Sequence, residues 1–320
     1  MERTLAKERD SRSVVYAALL ANILIAVGKF VAAAISGSAA MWSEGVHSLV
    51  DSVNEVLLLY GVYRSGAKPN RTHPLGYGRE VYFWSFLVAV LVLALGAGLS
   101  LYEGVSHLGS GSRALEQPAW SLGMLVISFL FEGTSWIVAL RHFRASKGAQ
   151  TYWQAFRHSK DPTVFTVLVE DSAALLGLVI ALAGILLSLA LGSTRYDAIA
   201  SICIGLLLTA SALFLARESK SLLIGEAAHS HVREAILQIA AKDPGIRKVN
   251  GVLTVQMGPA QVMAALSAEF EDALTTPQIE ACIKRIEARI KDAREEVTTL
   301  FVKPQTPETF HQRLDEIHHD

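Results

Sequence analysis

The sequence predicts a polytopic α-helical membrane protein, with six transmembrane helices followed by a C-terminal cytoplasmic ferredoxin-like α+β domain. Three observations predict it. Several apolar windows exceed the roughly 20 residues needed to cross a bilayer. Only 18% of the 320 residues are charged, against about 25% in a typical soluble domain. From about Glu218 the chain turns polar, and helical and strand periodicities alternate. The alternative is a soluble protein with buried core helices, and a requirement for detergent separates the two. The net charge of -1 carries no signal for nucleic acid. Cys203 and Cys282 stand alone, so neither a disulfide framework nor a thiolate metal site is expected. The first apolar run continues into a full span and does not read as a cleaved signal peptide.

Residues 1–13 form a basic tail with Arg3, Lys7, Arg9 and Arg12. The membrane domain, residues 14–217, begins with a span over 14–36. A Ser-Gly-Ser turn leads to the second span, 39–63. The following segment holds Arg64, Lys68, Arg71 and Arg79 among Pro, Gly and Asn, and reads as a loop. The third span covers 82–107 and the fourth 119–140. A second basic segment carries Arg141, Arg144, Lys147, Arg157 and Lys160. The fifth span covers 162–191 and the sixth 198–216. The opposite side carries only Arg113 and Arg195. The positive-inside rule then places both termini in the cytoplasm, and the plasma (inner) membrane is the expected location.

In residues 218–305 a helical segment ends before Pro244-Gly245, two strands flank a Gly258-Pro259 turn, and a second amphipathic helix precedes a third strand. Thr276 is the expected cap of that second helix, with Pro277 in its first turn. Helix–strand–strand–helix–strand is a small α+β domain, large enough for its own core. Residues 306–320 read as a disordered tail ending in a histidine pair with no assigned metal role.

The chemistry concentrates in the second span. His47 and Asp51, spaced i and i+4, share one helical face. Glu44 and Asn54 continue it. A charge near the bilayer centre costs roughly 2.5–3.5 kcal/mol on insertion scales, so this stripe reads as a hydrated, ion-handling face. Imidazole and carboxylate together suit zinc, and also cobalt, manganese or ferrous iron. Two ligands do not complete a site. The fifth span supplies Glu170 and Asp171. Asp51 and Asp171 lie at matching depths, roughly 12–18 Å from the cytoplasmic ends at about 1.5 Å per residue. The alternative is a proton-sharing carboxylate pair that locks helices together. Glu132 in the fourth span reads equally as outer ligand, proton carrier or interhelical hydrogen-bonding group. In the first span, Asn22 is expected to hydrogen-bond between helices. Lys29 is expected to pair with a carboxylate, with repulsion of cations from a wrong path as the second reading. Glu103, His107, His142 and His158 are expected to be solvated. The chain has no phosphate loop and no dinucleotide fingerprint, so an ion gradient is the expected energy source. Metal and protons compete for the same ligand atoms, and His47 is the group that titrates nearest neutrality.

The segments "SGSAAMWSEGVHSLVDS" and "HPLGYGREVYFWSF", the acidic fifth span and the C-terminal α+β domain resemble the cation diffusion facilitator family over about residues 12–305. The resemblance implies a homodimer that exports a divalent metal, usually zinc, in exchange for protons by alternating access. It implies no enzyme activity and no prosthetic group; the metal is cargo. Many zinc-selective members carry a second HxxxD in the fifth span. Here Asp171 matches its aspartate, Val167 stands at the histidine position, and Glu170 is the nearest substitute. The implied metal set is therefore His47, Asp51, Asp171 and Glu170, with Glu44 and Glu132 as outer or proton-carrying groups. Some members pair two loop histidines, but His73 is followed by Tyr77, which argues against a loop site. His229 and His231 read as surface histidines, with one weak regulatory ion as the alternative. A metal-binding sensor or scaffold is the runner-up outside transport. An intramembrane metalloprotease is disfavoured because no HExxH occurs.

Overall fold

The computed structural model describes residues 2–109, 115–146, 151 and 160–318. Arg113, Lys147, Arg157, His158 and His319 lie outside the described residues, as does the side chain of His142. The chain divides into two compact units. One comprises residues 1–63 and 83–220, the other 64–82 and 221–320.

The first unit is helical. Its elements are α1 (Glu2–Ser36), α2 (Ala39–Ser65), α3 (Glu80–Leu91), α4 (Gly98–Gly109), α5 (Pro118–Ser146), α6 (Pro162–Leu191) and α7 (Arg195–Ile224). Among the described residues, five helical segments are long and apolar enough to cross a membrane: Leu19–Ser36, Glu80–Gly109, Pro118–Ala145, Phe165–Leu191 and Arg195–Ile224. The sixth expected span, α2, has the length at 27 residues. Glu44, Asp51 and Glu55 make it too polar to join the other five. Its interior face is the unusual one, burying Ser43, Glu44, His47, Ser48, Ser52 and Asn54 while Leu49, Val53 and Val56 are exposed. Outward leucine and inward polar groups suit a helix with lipid on one side and an ion path on the other.

Two features of the helices add to the expected spans. The basic N-terminal segment is part of α1, which runs unbroken from Glu2; Leu5 and Ala6 interrupt the charges, and no Gly or Pro stands in the way. The third span is not a uniform α-helix. A π turn over Val92–Ala97 separates α3 from α4, and such turns insert one residue at a local register change. At the opposite end of α2, Ser38 Oγ donates to Asp197 Oδ1 at 2.6 Å and the Ala40 N–H donates to Oδ2 at 3.3 Å. The first turn of α7 thus caps α2 with a buried carboxylate, satisfying backbone donors that a helix start leaves orphaned.

The second unit is a three-stranded sheet in the order β1 (Ile246–Gly258), β2 (Gln261–Phe270), β3 (Val297–Pro304). The β1–β2 pair is antiparallel and β2–β3 parallel. α8 (Ser230–Ala241) and α9 (Thr276–Ala293) supply the other half of its core. Val232, Ile236 and Ala240 repeat at i+4 along α8, as do Cys282, Ile286 and Ile290 along α9; they pack with Val262, Ala264, Leu266 and Ala268 of β2. The cap of α9 is Thr275, one residue before the expected Thr276. Its N–H donates to Gln278 Oε1 at 2.8 Å, half of a capping box. The expected disordered tail is instead a helix, α10 (Pro307–His318). Thr306 precedes Pro307 as Thr275 precedes Thr276-Pro277, and Thr306 Oγ1 accepts from the Thr309 N–H at 3.4 Å. Phe310 of this helix closes on Gly251.

An ion cluster around the buried Asp243 ties the end of α8 to α9. Asp243 is 2% exposed. It accepts from Arg285 Nη2 at 2.9 Å, Arg285 Nε at 3.2 Å, the Gly245 N–H at 3.1 Å and the Cys282 thiol at 3.1 Å. Hydrogen bonds from Arg285 hold its carboxyl down at about 2, and burial beside it pushes the Cys282 thiol up to about 11.

The loop between α2 and α3 belongs to this second unit. Gly78 lies against the Met257 carbonyl and the Gln261 side chain, with no room for a β-carbon. Gly78→Ala should therefore cost about 1–3 kcal/mol and lower the melting temperature of the unit. An unchanged melting curve would show that the loop is not held there.

Candidate metal site

The site is built from α1, α2, α5 and α6. His47 and Asp51 fall on one face of α2, and Nδ1 of His47 lies 3.4 Å from Asp51 Oδ1. That distance is longer than a sound hydrogen bond. Both ring nitrogens of His47, which is 1% exposed, and Oδ1 of Asp51 have no hydrogen-bond partner. A buried imidazole unsatisfied at both nitrogens is rare and calls for a ligand.

Asp51 faces a cavity of about 720 Å³. Glu132 from α5 and Glu170 and Asp171 from α6 line the same cavity. Asp51 and Asp171, expected at matching depths, thus line one cavity. Trp136 and Ser135 of α5 grip α6 here: Trp136 Nε1 donates to Ser172 Oγ at 3.0 Å and Ser135 Oγ donates to Asp171 Oδ2 at 2.8 Å. Glu170 Oε1 accepts from Asn54 Nδ2 at 2.8 Å. Val167 also lines the cavity, so the residue standing at the family's histidine position does face the site, with an apolar side chain.

Among the described residues, no three His, Cys, Asp or Glu side chains are gathered tightly enough to hold a metal ion. The cavity collects the carboxylates, and His47 stands beside Asp51, but the quartet is not closed. Closure requires α2 and α6 side chains to converge on one point.

The other candidates fall elsewhere. Glu44 is fully buried and engaged with Lys29, whose Nζ lies 3.1 Å from Glu44 Oε2 and 3.9 Å from Glu132 Oε1. Glu103 and His107 pair at 3.0 Å on α4. His73 is exposed in the α2–α3 loop, its ring 4.4 Å from that of Tyr77. His229 and His231 stack with centroids 5.3 Å apart at the start of α8. Among the described residues, neither place gathers three metal-binding side chains.

Sequence reasoning missed Glu55. It lines the cavity one turn from Asp51 and accepts from Asn22 Nδ2 at 3.2 Å. The signal was present, since 47, 51 and 55 continue the same i+4 series. Five carboxylates, Asp51, Glu55, Glu132, Glu170 and Asp171, therefore share one cavity with apolar walls. Such a set is stable only with cations or protons held among the oxygens.

If His47 is the nitrogen ligand, His47→Asp replaces the one imidazole of the set by oxygen donors. The ratio of zinc to manganese bound should then fall about 10-fold or more, measured by competition in detergent. An unchanged ratio would remove His47 from the ligand set.

Comparison with known proteins places these features in context. A family model described as the cation efflux transmembrane domain matches residues 15–224. A Xenopus laevis protein named proton-coupled zinc antiporter SLC30A9, mitochondrial, is 32% identical over 265 residues, covering 82% of this chain and 47% of its own. An Arabidopsis thaliana metal tolerance protein C4 is 32% identical over 274 residues, covering 84% of this chain and 59% of its own. The manganese efflux system protein MneP of Bacillus subtilis (strain 168) is 22% identical, covering 92% and 96% of the two chains. The chain spans about half the length of the zinc antiporter relatives it matches.

Proposed function

Because the chain belongs to the cation diffusion facilitator family, we propose that it exports a divalent metal, zinc first, from the cytoplasm in exchange for protons. The observation that carries this reading is the unsatisfied pair His47 and Asp51 beside a five-carboxylate cavity. A divalent ion takes up those orphaned atoms, and the same atoms take up protons when it leaves. His47 and Asp51 bind from α2, Asp171 and Glu170 from α6. Ser135 and Asn54 orient the two α6 carboxylates. Glu55 and Glu132 draw cations toward the pair. Exchange of one metal for protons keeps the charge of the cavity nearly constant, which lowers the cost of moving it through the bilayer.

In this reading α2 is the sixth span, crossing with its polar face turned inward and both termini cytoplasmic. The transporter works as a homodimer by alternating access, needs no prosthetic group and catalyses no covalent chemistry. The relatives named as zinc antiporters support zinc. Val167 in the cavity wall favours a second reading, manganese or ferrous iron, because it leaves an oxygen-rich donor set. Flux into proteoliposomes with an acidic lumen tests both. Zinc should accumulate faster than manganese, and collapsing the pH gradient should stop it. Flux indifferent to the gradient would overturn proton exchange, and faster manganese flux would make manganese the cargo.

A further inference from the structure

Lys29 takes no part in the mechanism above, yet it is among the most deeply buried side chains of the protein, with 0% exposure. A lone ammonium there is costly, and it persists only with close partners. Those partners come from two other helices. Nζ donates to Ser48 Oγ at 2.7 Å and to Glu44 Oε2 at 3.1 Å on α2, and lies 3.9 Å from Glu132 Oε1 on α5. Glu44 is also fully buried, and its Oε1 has no hydrogen-bond partner. On α6, Gly177 leaves space that Glu44 Oε1 occupies; a β-carbon there would collide with it. A hydroxyl and two carboxylates gathered around one positive nitrogen, with the second oxygen of Glu44 left without a hydrogen bond, are the donors that a hard divalent cation uses. The charges also fit such an ion better than they fit lysine. Two carboxylates leave a deficit of one positive charge around an ammonium and none around a divalent ion.

We infer that Lys29 is a tethered cation filling a second divalent-ion site formed by Glu44, Ser48 and Glu132, and that it thereby limits how many ions one protomer holds. The site neighbours the His47 and Asp51 pair along α2. Were it open, an entering metal ion would have a second place to rest, on the wrong side of His47. A covalently attached ammonium closes that place without blocking the cavity. It also holds Glu44 in position while the neighbouring pair loads and unloads. Glu132 stands between the two places, lining the cavity and facing Lys29 at once. The inference builds on the metal-transport reading but is tested by counting ions, not by flux.

The count is made by equilibrium binding of manganese to purified full-length protein in detergent, with free manganese read by its spin resonance. Lys29→Met should bind one more manganese ion per protomer than the wild type. Lys29→Arg, which keeps the positive charge, should bind the wild-type number. Lys29→Met combined with Glu44→Gln should return to the wild-type number, because the vacated site has lost its principal oxygen ligand. A folded Lys29→Met protein with the wild-type number overturns the inference, and so does an extra ion that persists in the double variant. Lys29→Met leaves Glu44 buried without its counter-charge. If it fails to fold in metal-free buffer, recovery by manganese during extraction supports the site. Failure of manganese to recover it makes Lys29 a structural counter-charge only. A wild type that binds no manganese and no zinc would instead overturn the transport reading, and the difference between variants would still be read separately.

Discussion

Asp51→Ala and Asp171→Ala should each reduce metal flux to background, more than about 100-fold below wild type, while the protein inserts, folds and purifies normally. The expected size follows from position. Removing a group that only orients a ligand typically costs 10–100-fold, and these two are ligands in the proposed site. Asp51 stands at the meeting of the unsatisfied His47 and the cavity, with an oxygen that has no hydrogen-bond partner. Its loss leaves α2 with an imidazole alone. Asp171 is the carboxylate that α5 holds in place through Ser135. Ser135→Ala should therefore weaken flux by only about 10-fold, a graded effect that distinguishes orientation from ligation. Neither aspartate is needed to pair a buried lysine or to cap a helix, so folding is expected to survive. Proteoliposome flux of the two variants with equal reconstituted protein decides the matter. Wild-type flux in either one sinks the shared site.

The largest effect on stability is expected at Asp243. Its carboxyl sits at about 2 against an ordinary 3.8. A depressed carboxyl stabilises the folded state wherever the unfolded chain would already be ionised. The contribution is therefore whole above about pH 4 and is lost as pH falls from there toward about pH 2. The size is about 1–2 kcal/mol, from a shift of this order at 1.36 kcal/mol per unit reduced by solvent screening at the half-exposed Arg285. Asp243→Ala removes this contribution together with the bonds from Gly245 and Cys282. At pH 7 the melting temperature of the C-terminal unit should fall by about 10 °C or more. Near pH 2 the gap between variant and wild type should narrow sharply. A gap that stays constant with pH would mean that packing, not charge, is what Asp243 contributes. Cys282 follows the same cluster, and its raised thiol keeps it protonated and slow to react at neutral pH.

What the sequence made legible was whatever repeats with a fixed period or stands out against a uniform background. His47 and Asp51 are conspicuous because apolar residues surround them at i+4 spacing, and Glu170 and Asp171 for the same reason. The α8–β1–β2–α9–β3 order follows from periodicity and from the breaks at Pro244-Gly245 and Gly258-Pro259. Glu55 escaped because it lies closer than Asp51 to the C-terminal end of its helix, where a charge is less conspicuous. Only the shared cavity makes it one of five. Thr306-Pro307-Glu308 carries a capping signature like that of α9, yet the polar composition around it reads as disorder. The twelve-residue α10 gains its place from Phe310 against Gly251, a contact between residues far apart in the chain. The π turn in the third span leaves no mark on a hydrophobic run. The partners of Lys29 were legible as a class, a carboxylate, but not as Glu44, because no periodicity relates α1 to α2.

The placement of Gly78 against Met257 and Gln261 has a consequence in time. About 180 residues separate the loop from the hairpin that receives it. At a synthesis rate of about 5–20 residues per second, the hairpin leaves the ribosome roughly 10–40 s after the loop does. Throughout that interval residues 64–82 have no surface to settle on, although the helices on either side of them are already made. The nascent chain must keep this segment open to solvent, proteases and chaperones until the hairpin arrives. Substitutions in the loop should therefore act first on the yield of finished protein, before any effect on the finished protein itself.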